Sequence, residues 1–171
     1  MFVRSGEDFI VAIMEQYLKA KHYTSGPDFL INGKACEVKG SYSDFADSLK
    51  QLGNYVISKK YTDVVAILPV DFLAGLYKLY TFHLFCEIIK TVSGKDLVLI
   101  LVGISEDKKT ARIKSVKGAD LLQMVEVRVP VEILVRQKDE MIQGVNIRKI
   151  EKALTRSLES LVAYSGVKVS L

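Results

Sequence analysis

Apolar positions along this chain recur with two different periods, and the switches between them mark out its elements. From Glu7 to His22 the residues Ile10, Ile13, Met14, Tyr17 and Leu18 fall on one face of a helical repeat, which predicts an amphipathic helix. Ser5, with Asp8 three residues on, predicts an acidic variant of a capping box at its start. From Asp28 to Lys39 the chain reads instead as two short strands around Asn32-Gly33, the dipeptide best suited to a two-residue turn with positive φ at both positions. Helical spacing returns from Ser43 to Lys60, with Phe45, Leu49, Leu52 and Val56 on one face and Ser43 as N-cap. Asp63 to Pro69 holds the unbroken apolar run Val64-Val65-Ala66-Ile67-Leu68, the mark of a strand buried on both faces. A long helix is expected from Asp71 to Val92, and a second buried strand from Leu97 to Val102. Past Gly103 the pattern weakens. Thr110 to Val116 alternates and predicts an edge strand, and Val125 to Val135 is strand-like with Pro130 inside it, which favours an edge or a break. Asn146 to Tyr164 is a helix with the stripe Ile147, Ile150, Leu154, Leu158 and Leu161.

The hairpin carries the chemistry. With Asn32-Gly33 as the turn, Ile31 faces Lys34, Leu30 faces Ala35, Phe29 faces Cys36, and Asp28 faces Glu37. Side chains alternate along a strand, so Lys39 shares the Glu37 face and Cys36 points to the opposite, core side. Directly opposed like charges repel. A divalent cation between the two carboxylates removes that repulsion, since hard cations take carboxylate oxygens. The alternative for the same three residues is a solvated hairpin face closed by a salt bridge.

The string Pro27-Asp28 followed by Glu37-Val38-Lys39 resembles the motif of the PD-(D/E)xK nuclease superfamily. On the predicted helix that follows, Gln51 and Tyr55 lie four apart on one face. This resembles the Gln-x-x-x-Tyr element of RecB-like and lambda-exonuclease-like members. The resemblance implies an α/β restriction-endonuclease-like fold, a mixed sheet flanked by helices, and a Mg²⁺- or Mn²⁺-dependent DNA nuclease. It implies Asp28 and Glu37 as metal ligands with the Val38 carbonyl, and Lys39 as the residue that orients or activates the attacking water. Gln51 and Tyr55 would reach the phosphate or support the lysine. Many relatives add an acid from the first helix, for which Glu7 is the candidate and Asp8 the second choice, though an acid there also suits the helix macrodipole. The family normally has one more strand before the Asp, and only Tyr23 to Gly26 is free to supply it. Two substrate classes compete. A stand-alone basic chain resembles Holliday-junction resolvases, which cut as dimers, whereas the Gln-x-x-x-Tyr element points to an exonuclease on single strands or ends. A catalytically silent member that binds nucleic acid or protein is the reading from another class, and the complete Asp, Glu and Lys set argues against it.

Composition adds bounds. At 171 residues, 49% of them hydrophobic, the chain suits one domain, residues 1–171, with a core over about 1–105 and a C-terminal extension over about 106–171. A net charge of +4 suits DNA as a partner but is modest. Two cysteines exclude a four-cysteine iron–sulfur cluster held by one chain. Neither Gly94-Lys95 nor Gly33-Lys34 completes a P-loop, and no Ser or Cys nucleophile has a histidine partner. His22 and His83 read as structural or surface residues. With no signal peptide at the N-terminus, and Lys78, His83 and Glu87 inside the most apolar helix, the expectation is a cytoplasmic protein without a membrane span. The C-terminal stripe can fold back over the sheet or meet its copy in a second subunit; a homodimer is the expectation, through that stripe or through the face with Leu73, Leu76, Tyr77, Tyr80 and Leu84.

Overall fold

A computed structural model describes residues 1–125 and 145–171. The two apolar periods become a mixed α/β sheet flanked by helices. Along the chain come β1 (Phe2–Val3), α1 (Glu7–Leu18), β2 (Phe29–Ile31), β3 (Lys34–Val38), α2 (Phe45–Ile57) and β4 (Val64–Pro69). They are followed by α3 (Leu76–Ser93), β5 (Val98–Ser105), β6 (Thr110–Lys117), the single turn α4 (Leu121–Met124), α5 (Val145–Ser165) and β7 (Val167–Ser170). The described strands run in the order β2-β3-β4-β5-β6-β7, and β1 joins the last residues of β5. The three central strands, β3, β4 and β5, are parallel, and the remaining pairs are antiparallel.

Alternation along the strands splits the core into two layers. Ala66, Leu68, Leu99 and Leu101 face Leu52 of α2, Leu79 and Phe82 of α3, and Leu154, Leu158 and Val162 of α5. Phe29, Cys36, Val38, Val65 and Ile67 face Ile10, Ile13 and Met14 of α1. Both cysteines are free and buried, and burial pushes the Cys36 thiol up to about 11. No helix among the described residues is long and apolar enough to cross a membrane.

Several boundaries depart from the sequence reading. Helix α1 stops at Leu18, because Lys19 adopts φ 51° and turns the chain. Its N-cap is Gly6 with no side-chain bond, so the Ser5–Asp8 capping box does not form; Ser5 is engaged with Ser41 instead. In α2 the cap is Asp44, not Ser43, and it accepts from Asp47 N at 2.9 Å. The segment expected as one helix from Asp71 divides into a 3₁₀ turn over Val70–Leu73 and α3, separated by Ala74 and Gly75. β5 runs past Gly103 to Ser105. β6 is not an edge strand: β7, absent from the sequence reading, covers it. Within β6, Ala111 and Ile113 face the α1 layer while Val116 belongs to the other. No strand lies between α1 and β2, so the additional strand of the nuclease pattern is missing there; β1 precedes α1 instead. The expected strand over 125–135 falls outside the described residues, except for Val125, which is buried at the end of α4.

Of the two arrangements open to the C-terminal stripe, it takes the one folded back over the sheet. Leu154, Leu158 and Val162 are buried against the chain's own sheet, with Ile150 and Leu161 packed beside them, so this face is not left for a second subunit. On α3 the exposed apolar residues are Tyr77, Tyr80, Leu84, Ile88 and Val92, whereas Leu73 lies in the 3₁₀ turn and is fully buried.

Candidate functional site

The Asn32-Gly33 turn, at φ 50° and 79°, sets the hairpin register that the sequence predicts: Phe29 with Cys36, Leu30 with Ala35, Ile31 with Lys34. The hydrogen-bonded ladder ends at Phe29–Cys36, one position before Asp28 and Glu37. The Asp28 carboxylate replaces the next ladder bond itself: Oδ2 accepts from the backbone N–H of Val38 at 2.7 Å. The second oxygen, Oδ1, lies 3.2 Å from His22 Nε2. Asp28 is thereby held beside the end of β3, where its charge reaches Glu37.

Glu37 lies in register with Ala66 of β4 and so faces the α2 layer. It is 3% exposed, and burial holds its carboxyl above the ordinary carboxylate value, with the Asp28 charge acting in the same direction. Lys39 opposes that shift: its Nζ donates to Glu37 Oε1 at 2.8 Å and to Gln51 Oε1 at 2.6 Å. Gln51 Nε2 in turn donates to the Tyr55 hydroxyl at 3.4 Å. Burial pushes the Tyr55 phenol up to about 12, helped by the neighbouring Glu37 and Asp28 charges. The ring is fixed edge-on against Tyr61, 5.6 Å between centroids. The four-residue spacing of Gln51 and Tyr55 thus becomes one polar row aimed at the Glu37–Lys39 pair.

One atom in this row is anomalous. Glu37 Oε2 is buried and makes no hydrogen bond of ordinary length, although the Tyr55 hydroxyl lies near enough to act on the carboxylate. A buried carboxylate oxygen without a partner costs free energy unless a donor or a cation meets it. The two oxygens of Asp28 each use one acceptor position, and a carboxylate offers about four. Together the pair fits one hard divalent cation, of the kind that binds through one or two carboxylates and completes its shell with water or phosphate oxygens. Among the described residues no three His, Cys, Asp or Glu side chains gather closely enough to hold an ion by themselves.

Glu7 and Asp8 separate in the structure. Asp8 is exposed. Glu7 is half-buried and accepts from Ser43 Oγ at 3.2 Å, while Ser43 Oγ also accepts from Gly40 N at 3.0 Å. Gly40 is what permits this approach, since a Cβ there would lie 2.5 Å from the Glu7 backbone nitrogen. Glu7 is therefore fastened to the segment after Lys39 rather than to the Asp28 carboxylate.

The sequence reading missed three features, involving four residues. His22 lies against Asp28 and, tilted, against Phe29 at 5.8 Å between centroids; no periodicity flags a histidine just past a helix end. Ser41 and Asp71 form the second omission, joined at 2.9 Å, with Arg4 Nε 3.7 Å from Asp71 as the third. Their only trace in the sequence is the Gly-Ser-Tyr-Ser run after Lys39. Comparison of the chain with known protein families, curated proteins and solved structures gives no significant match.

Proposed function

We propose that the chain is a Mg²⁺- or Mn²⁺-dependent DNA nuclease with a restriction-endonuclease-like fold. The observation that carries this reading is the buried, unpartnered Glu37 Oε2, set between Asp28 and a lysine that is itself held in place by Gln51. A divalent cation held by Asp28 and Glu37, with the Val38 carbonyl as third ligand, would supply Lewis-acid activation of the phosphodiester. The chain's own groups supply the rest. Lys39 offsets negative charge at the phosphate and positions the attacking water; Gln51 fixes the ammonium; Tyr55 and Gln51 offer polar contacts to the substrate. Glu7, tied to Ser43, contributes from the α1 side.

The site suits a structure-specific endonuclease similar to Holliday-junction resolvases, with the exposed α3 face as the surface for a second subunit. The direct Lys39–Gln51 bond favours a second reading, a RecB-like exonuclease on single strands or ends. A cleavage panel with Mg²⁺ and Mn²⁺ over single-stranded, duplex, flapped and four-way-junction DNA tests both. Lys39→Ala abolishes cleavage while leaving DNA affinity nearly intact, because one cation among many contributes little to counterion release. Cleavage by Lys39→Ala within a few-fold of the parent removes Lys39 from the mechanism.

A further inference from the structure

We propose that Tyr42 is a stacking platform for an unpaired DNA base, so that the site takes single-stranded DNA. The inference rests on the nuclease reading above and names its substrate class.

The Tyr42 ring is 74% exposed. It stands in the turn between β3 and α2, three residues beyond Lys39 and past the carboxyl end of the strand that carries Glu37. Ligands of open α/β sheets lie beyond the carboxyl ends of the parallel strands, which is where this turn projects.

The turn is fastened on every side. Ser41 N donates to Ser5 O at 2.9 Å, and Ser5 N returns a bond to Ser41 Oγ at 3.0 Å. Ser41 Oγ donates to Asp71, Gly40 N donates to Ser43 Oγ, and Ser43 N donates to Gly40 O at 3.2 Å. A bare aromatic ring on a pinned turn differs from one on a loose loop, because stacking on it carries little ordering cost. The other aromatic rings of α2 are spent inside the chain: Phe45 packs on Phe72 and Tyr77, and Tyr55 on Tyr61. Tyr42 has no ring partner among the described residues. On the opposite flank of the carboxylates, Tyr23 is 46% exposed, tied by its N–H to the Asp28 carbonyl at 2.8 Å.

Charge does not provide the grip. The net charge is only +4, and Arg4 beside the turn is already directed at Asp71. Base stacking on aromatic rings binds single strands without sequence preference. In a duplex both faces of each base are already occupied, so the ring gains nothing there.

The test is metal-free binding of the full chain, in EDTA, to three labelled probes: an oligothymidylate, an abasic deoxyribose-phosphate oligomer of equal length, and a duplex. The parent protein binds oligothymidylate more tightly than the abasic oligomer. Tyr42→Ala loses roughly 5- to 150-fold on oligothymidylate, the range expected for one stacked base, with abasic and duplex binding unchanged. Tyr42→Phe retains the parent affinity, and thermal melting confirms that both variants fold. Equal affinity of parent and Tyr42→Ala for oligothymidylate overturns the inference, as does a parent that binds the abasic oligomer equally well. No metal or turnover enters the measurement. Tyr42-dependent binding without cleavage therefore sinks only the nuclease reading, and cleavage with a silent Tyr42→Ala sinks only this one.

Discussion

Replacing Lys39 by Met turns the Glu37–Lys39 pair into a measurement of how deeply the carboxylate is buried. In the metal-free protein, Lys39 makes the one short side-chain hydrogen bond to Glu37 among the described residues, with the Tyr55 hydroxyl as a weaker neighbour. Without Lys39, the carboxylate keeps only that weak contact in a pocket that already holds the acid above its ordinary value of 4.5. Glu37 then takes up a proton rather than remain charged. The cost of this escape at pH 7 has a ceiling of about 2.5 pH units at about 1.36 kcal/mol each, or about 3 kcal/mol. That agrees with the loss of about 3–5 kcal/mol when one member of a buried pair is removed. The sign follows from linkage. In the folded variant Glu37 binds a proton that the unfolded chain releases above pH 4.5, so stability is fully present below that value and falls as pH rises through the raised native one. Urea unfolding in EDTA therefore gives a Lys39→Met deficit of up to about 4 kcal/mol at pH 7, shrinking to about 1 kcal/mol, the lost Lys39–Gln51 bond, near pH 4.5. The double variant Lys39→Met with Glu37→Gln recovers most of the deficit at pH 7, since no charge is left buried. A deficit under about 1 kcal/mol that does not change with pH would refute the reasoning, and with it the claim that Glu37 is starved of partners.

Three further outcomes are expected. Asp28→Asn and Glu37→Gln each lose Mg²⁺ and Mn²⁺ affinity in calorimetric titration, and unchanged binding in both returns the hairpin to a plain polar surface. Gly40→Ala drives a methyl group into the backbone of Glu7 and lowers stability by about 1–3 kcal/mol on thermal melting; a neutral result contradicts the close contact of α1 with the turn. Leu154→Glu buries a charge beneath α5 and destabilises the fold by more than about 2 kcal/mol without changing the assembly state; a stable variant whose light scattering differs from the parent's restores α5 as an interface.

What the sequence determined by itself is the local geometry. A two-residue turn at Asn32-Gly33 admits one register, so the side on which Glu37 and Lys39 stand, and the opposite side for Cys36, follow from twelve consecutive residues. Helical spacing likewise dictates that Gln51 and Tyr55 share a face, since residues four apart always do. The apolar runs of β4 and β5 announce strands covered on both sides; β4 is buried at every position, and in β5 only Val98, Ile100 and the end residue Ser105 are half-buried.

Tertiary structure decided what meets what. The sequence shows that the stripe on α5 must be covered, but hydrophobic burial is non-directional, and only the packing reveals that this chain's own sheet covers it. Whether β6 is an edge depends on β7, which pairs with it from the far end of the chain. The bonds that shape the site are of the same kind: Ser41 to Asp71 spans 30 positions and Ser43 to Glu7 spans 36, the latter where Gly40 lets its backbone approach that of Glu7. Glu37 differs in one respect. Its place on the strand is local, but the burial that leaves Oε2 unpaired comes from packing around it, and a period-two pattern carries no information about that.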